Sequence, residues 1–239
     1  MSAASHFSPG KAIRGGVPIC FPWFGPRAGH PESPAHGFAR TTAWEVESVE
    51  CAADIVTLIL RLNATDKTRA LWPHDFVLRH RITIGATLEM TLETQNLSTT
   101  PFDIEEALHT YFVVSNARNV SISGLSNSAY VDKVDAGARK VQDSAPIRIT
   151  GETDRVYPSS QSACVIEDPG LQRRITVEKS GSDTTVVWNP WIAKASSMAD
   201  FGDDEWPGML CVETANSGEN AVTVSPGESH SMTASISVS

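Results

Sequence analysis

Ile82-Thr83-Ile84-Gly85-Ala86-Thr87-Leu88-Glu89-Met90-Thr91-Leu92 alternates with hardly a break. Ile82, Ile84, Ala86, Leu88, Met90 and Leu92 share one parity, while Thr83, Thr87, Glu89, Thr91 and Glu93 hold the other. A period of two marks a strand with one buried face and one wet face. The stretch is read as one long, half-buried strand.

The same signal recurs on both sides. Ala43–Val49 alternates, and Asp54–Leu62 is rich in Ile, Val, Leu and Thr. Further strands are read at Phe102–Val114, Val120–Leu125, Thr184–Trp188 and Gly208–Asn216. Cys164–Glu167 and Arg174–Glu178 flank the turn Asp168-Pro169-Gly170, and Ala221–Val224 and Ser231–Val238 bracket Pro226-Gly227 as a final strand pair. Residues 1–40 read as loops with short strands, 132–146 as loop, and Trp191–Met198 as one short helix. Many short strands with at most one helix predict a single all-β domain over residues 1–239, a sandwich of large sheets.

Charge narrows the function. The net charge of -9 excludes the basic footprint that nucleic acid requires. If the ligand is an anion, local arginines must reverse the sign of the field inside its pocket. No apolar run reaches membrane-spanning length, and Met1–His6 carries no secretory signal. Cys20, Cys51, Cys164 and Cys211 show neither zinc-site nor disulfide-framework spacing, so they are expected to be reduced core residues of a cytoplasmic protein.

Three places carry candidate chemistry. Period two turns His109 away from Phe102, Ile104, Leu108, Phe112 and Val114, beside Tyr111. Glu213 likewise shares a parity with Cys211 and Met209 rather than with Leu210 and Val212. A histidine and a carboxylate opposite the leucines are the parts of a general acid–base pair, and an exposed histidine fits the pattern equally. Ile13-Arg14-Gly15-Gly16-Val17-Pro18 and His36-Gly37-Phe38-Ala39-Arg40 set arginines among Gly, Pro and aromatic residues, the composition of a turn that comes close to a ligand or of a solvated connection. Dinucleotide, P-loop and hydrolase-elbow motifs are absent, and the histidines lack metal-ligand spacing.

Taken together and in order, Ile13–Pro18, Pro34–Arg40, Leu108-His109-Thr110-Tyr111-Phe112, Asp154-Arg155-Val156-Tyr157, Val187-Trp188-Asn189-Pro190-Trp191 and Cys211-Val212-Glu213 resemble the glucose-6-phosphate 1-epimerases of the aldose 1-epimerase superfamily. The resemblance implies a galactose-mutarotase-like β-supersandwich that interconverts hexose 6-phosphate anomers as a monomer, with no metal and no cofactor. It implies that His109 is the acid, Glu213 the base, Asp154 a partner of sugar hydroxyls, and Arg14 and Arg40 the phosphate clamp. His36 either lines the pocket or holds the Gly37 turn. Trp23, Trp188 and Trp191 either stack on sugar or pack in the core. Family members carry further β-structure ahead of the Arg14 motif, so N-terminal strands are expected to be missing and a sheet edge exposed. Ala35 stands where some members have a substrate-touching Gln. The alternative is a non-catalytic sugar-phosphate-binding protein on the same fold, which would need neither acid nor base.

Overall fold

The computed structural model describes residues 1–239. The chain folds as one antiparallel β-sandwich. The first sheet runs Ile19–Cys20, Glu106–Leu108, Met209–Asn216, Thr184–Asn189, Thr153–Pro158, Ala129–Asp132 and Ala138–Val141, with Tyr111–Val113 also paired to Met209–Asn216. The second runs Glu45–Ala52, Ile55–Asn63, Phe76–Ile84, Leu88–Asn96, Ser229–Val238, Arg173–Ser180, Cys164–Asp168 and Ser121–Ser123. A core of 35 buried residues includes Leu108, Val187, Leu210 and Val212 from the first sheet and Leu78, Leu92, Ile175 and Met232 from the second. No helix is long and apolar enough to cross a membrane.

The long strand over Ile82–Leu92 is instead two strands and a turn. Phe76–Ile84 and Leu88–Asn96 form a hairpin, with Gly85 N–H donating to Thr87 O at 3.0 Å. The alternation survives for a geometric reason. Directly opposite residues share a face, and the pairs Ile84↔Leu88, Ile82↔Met90 and His80↔Leu92 join residues of equal parity. The turn therefore leaves no trace in the pattern.

Phe102–Val114 also divides, into Phe102–Ile104, Glu106–Leu108 and Tyr111–Val113. Glu105 breaks the line because its carboxylate is taken by the Phe24 and Gly218 amides, at 2.9 and 2.6 Å. His109 N–H and Tyr111 N–H leave the ladder for Pro18 O and Gly16 O, at 3.1 and 2.9 Å. These bonds tie the loop before Ile19 to the strands that carry the site.

Four smaller expectations also change. Ala138–Val141 is a strand inside the region read as loop. Asp66–Leu71 is a second helix, started by a capping box between Thr65 and Thr68. Val222–Val224 pairs with Phe102–Ile104 rather than with Ser229–Val238, which lies in the second sheet. Cys51 is exposed rather than a core residue, while Cys20, Cys164 and Cys211 are buried and unbridged. It lies on the strand Glu45–Ala52, an almost wholly exposed edge of the second sheet.

Candidate active site

Side chains of one strand face alternate, so two rows of cross-strand neighbours build the site on the outer face of the first sheet. Cys211↔Tyr111, Trp188↔Cys211 and Asp154↔Trp188 make one row. The register Leu108↔Thr214 and Tyr111↔Cys211 sets His109 opposite Glu213, and Val186↔Glu213 and Val156↔Val186 continue this second row. The inner face of these strands belongs to the main core; the outer face carries two small apolar clusters. Trp188, Phe201, Trp206, Met209 and Cys211 lie on one side of the pair, and Cys20, Ala107, Val156, Val186 and Ala215 on the other. His109 and Glu213 sit between them.

His109 Nε2 lies 3.4 Å from Glu213 Oε1, with the two side chains 8% and 1% exposed. A histidine on the face away from the core is thus neither exposed nor part of the core. Its ring stacks on Tyr111 at 4.9 Å and 11°, and meets the edge of Trp188 at 5.9 Å. Burial drives its imidazole well below the usual histidine range, helped by the positive charges of Arg40 and Arg14. Burial likewise drives the Glu213 carboxyl well above its usual range, and the negative charge of Asp154 adds to this. Each charged form is disfavoured in the same dry gap.

The pair opens into a cleft of about 590 Å³, also lined by Arg14, His36, Asp154, Trp188, Lys133 and Lys194. Burial pushes Asp154 up to about 6, against the opposing pull of Lys133. His36 adopts φ +63°, and its Nδ1 accepts the Gly25 N–H at 3.3 Å. An accepting Nδ1 means a neutral ring with its proton on Nε2. Burial and the nearby Arg40 and Arg14 charges agree, lowering this imidazole to about 3. His36 thus lines the cleft while its ring is tied to the Gly25 amide.

The arginines behave differently from one another. Arg14 reaches the cleft, but Asp200 already holds it, through Nε at 3.2 Å and Nη2 at 3.0 and 3.1 Å, while Nη1 meets the Tyr111 hydroxyl at 3.4 Å. Arg40 does not line the cleft: Nη2 donates to Ala35 O at 2.8 Å and Nε is buried without a partner. Of the three tryptophans, Trp188 lines the cleft. Trp23 packs against Phe38 in the core, and Trp191 packs against Trp206. Lys133 and Lys194 escaped the sequence reading, having no motif to mark them, and Asp200 shows itself only through its contact with Arg14.

The aldose 1-epimerase family model matches residues 2–237, and the chain belongs to that family, whose members interconvert sugar anomers. A relative from Escherichia coli (strain K12), provisionally named a glucose-6-phosphate 1-epimerase, is 41% identical over 219 residues, covering 92% of this chain and 72% of its own. The crystal structure of a Salmonella typhimurium protein, provisionally described as a mutarotase, superposes with a TM-score of 0.93 at 36% identity, covering 100% of this chain and 79% of that one. A galactose mutarotase-like protein from Clostridium acetobutylicum shares the fold, with a TM-score of 0.69 at 16% identity over 94% of this chain and 79% of its own.

Proposed function

We propose that this chain interconverts the α and β anomers of a hexose 6-phosphate, glucose 6-phosphate first among them. The observation that carries the reading is the enclosed His109–Glu213 pair at 3.4 Å on the floor of a cleft of sugar size. The name given to the Escherichia coli relative supports the phosphorylated substrate. So does the concentration of Arg14, Lys133 and Lys194 around the cleft of a chain with net charge -9.

The reaction follows from the pair's shared proton. With Glu213 ionised and His109 protonated, the carboxylate takes the proton of the anomeric hydroxyl while the imidazolium gives its own to the ring oxygen. The bond between C1 and the ring oxygen breaks, and the open aldehyde forms. Rotation about C1–C2 presents the other carbonyl face. Glu213, now protonated, returns its proton to the carbonyl oxygen as His109 recovers the one on the ring hydroxyl. The pair holds one proton before and after each half-reaction. Burial disfavours both charged forms, so it brings the ion pair and the neutral pair closer in energy, which suits a proton that must pass both ways. Asp154 accepts hydrogen bonds from sugar hydroxyls, Trp188 offers a ring edge beside the acid, and the basic groups hold the phosphate.

The test couples freshly dissolved α-glucose 6-phosphate to a dehydrogenase specific for the β anomer. Acceleration for the phosphorylated sugar, but not for free glucose or galactose, is expected. Equal acceleration of free galactose would overturn the phosphate assignment, and no acceleration by folded protein would overturn the reaction.

A further inference from the structure

Period two places Cys211 beside Glu213 on the outer face, and the strand pairing places His109 opposite Glu213. One donor atom from each of His109, Cys211 and Glu213 lies within 4.8 Å of the other two, all three residues being buried. Glu213 Oε2 and His109 Nδ1 have no hydrogen-bond partner. We propose that this triad binds a thiophilic divalent cation, zinc above all, and that its occupancy reversibly shuts the active site.

The geometry fits the ion with little movement. Zinc bonds of about 2.0–2.3 Å to nitrogen, oxygen and sulfur give tetrahedral edges of roughly 3.3–3.8 Å. The edge between His109 Nε2 and Glu213 Oε1 already stands at 3.4 Å. The Cys211 sulfur, within 4.8 Å of both partners, then has to close by at most about 1 Å. The cleft leaves the fourth position to water. Imidazole and thiolate select zinc over magnesium or calcium, which take oxygen ligands.

Charge balance favours the complex. Neutral His109, Cys211 thiolate and Glu213 carboxylate sum to two negative charges, so a zinc ion completes a neutral buried unit. Forming it releases two protons to solvent: the thiol's own, and the one held by the His109–Glu213 pair. The bound ion occupies the atoms that must exchange protons with substrate, so the site is inhibitory. It is also reversible. Zinc-bound histidines are normally steadied by an acceptor on the second ring nitrogen, and His109 Nδ1 has none.

The experiment uses the full chain carrying Cys51→Ser, which removes the one exposed thiol. Cobalt(II) should produce a thiolate-to-metal charge-transfer band that zinc abolishes, and calorimetry in buffers of different ionisation enthalpy should count two protons per zinc. Zinc should inhibit anomer exchange and a chelator restore it. Cys211→Ala should lose the band and raise the half-inhibiting zinc concentration by at least the roughly 10–100-fold that loss of a mere outer-shell contact costs, since a direct ligand goes. Inhibition is scored against each variant's own metal-free rate; Cys211→Val serves if the alanine variant melts early. A cobalt spectrum without the band, a band that survives in the Cys211 variants, or inhibition indifferent to them would each overturn the proposal. The spectroscopic and calorimetric arms read binding whichever sugar the enzyme turns over.

Discussion

His109 and Glu213 touch through Nε2 and Oε1 at 3.4 Å, yet the remaining polar atom of each side chain is buried without any hydrogen-bond partner. An unsatisfied buried polar atom costs about 1–3 kcal/mol. The free protein therefore carries unspent hydrogen-bonding capacity where the proposed chemistry needs it. Glu213→Gln keeps the shape and removes the base, and His109→Asn removes the acid. Each should lower anomer exchange by about 10²–10⁴-fold while sugar binding, followed by ligand-induced thermal shift, persists. An active Glu213→Gln protein would sink the base assignment.

Asp200 holds Arg14 through Nε and Nη2, so under the proposed function it competes with the sugar phosphate for that guanidinium. The two side chains are 26% and 24% exposed, so their pair is partly screened. Asp200→Asn should free the guanidinium and lower KM for glucose 6-phosphate by roughly twofold to fivefold, the range of a partly exposed ion pair. Binding of free glucose, followed by ligand-induced thermal shift, should respond to neither Asp200→Asn nor Arg14→Ala. A KM for the phosphorylated sugar that rises in Asp200→Asn would show that Arg14 works only when Asp200 positions it.

Under the proposed function Asp154 should set an acid limb. Burial raises it to about 6, so it is protonated and loses acceptor capacity as pH falls through that value. Sugar kcat/KM should decline below pH 6 in the native protein, with a limb that vanishes in Asp154→Asn. The same residue costs stability at higher pH. The unfolded carboxyl ionises near pH 4, so its contribution is fully present below that value and is lost as pH rises through about 6. Asp154→Asn should accordingly melt higher than native protein at pH 8. An acid limb unchanged in Asp154→Asn would assign it to another group.

Gly37 holds the turn that presents His36. Its φ is +71°, and a Cβ there would stand 1.8 Å from the Phe21 carbonyl oxygen. Gly37→Ala should cost on the order of 3 kcal/mol or more, because strain and collision add. Urea denaturation gives the number. A loss under 1 kcal/mol would mean the loop relaxes freely.

The amino-acid pattern reveals faces better than boundaries. Alternation identified the buried side of Leu88–Asn96 and turned His109 and Glu213 outward together, but it ran unbroken through the Gly85 turn because antiparallel partners have equal parity. The break at Glu105 depends on amides from Phe24 and Gly218, far away in the chain, so local pattern could not show it. The same applies to the cleft. His109, Asp154 and Glu213 meet only through strand register, Arg14 is held by Asp200 from a distant loop, and Lys133 and Lys194 carry no motif. A search for metal ligands by spacing also passes over Cys211, whose neighbour His109 lies in the break between two other strands.

The site strands divide their labour by face. Leu210 and Val212 point into the 35-residue core, while Met209, Cys211 and Glu213 point to the cleft side. Each pair of neighbours in the sequence thus answers to a different demand. Substitutions that retune the sugar side leave the sandwich interior untouched, so new preferences can be explored by drift or by engineering without jeopardising the scaffold. One strand supports two largely independent histories.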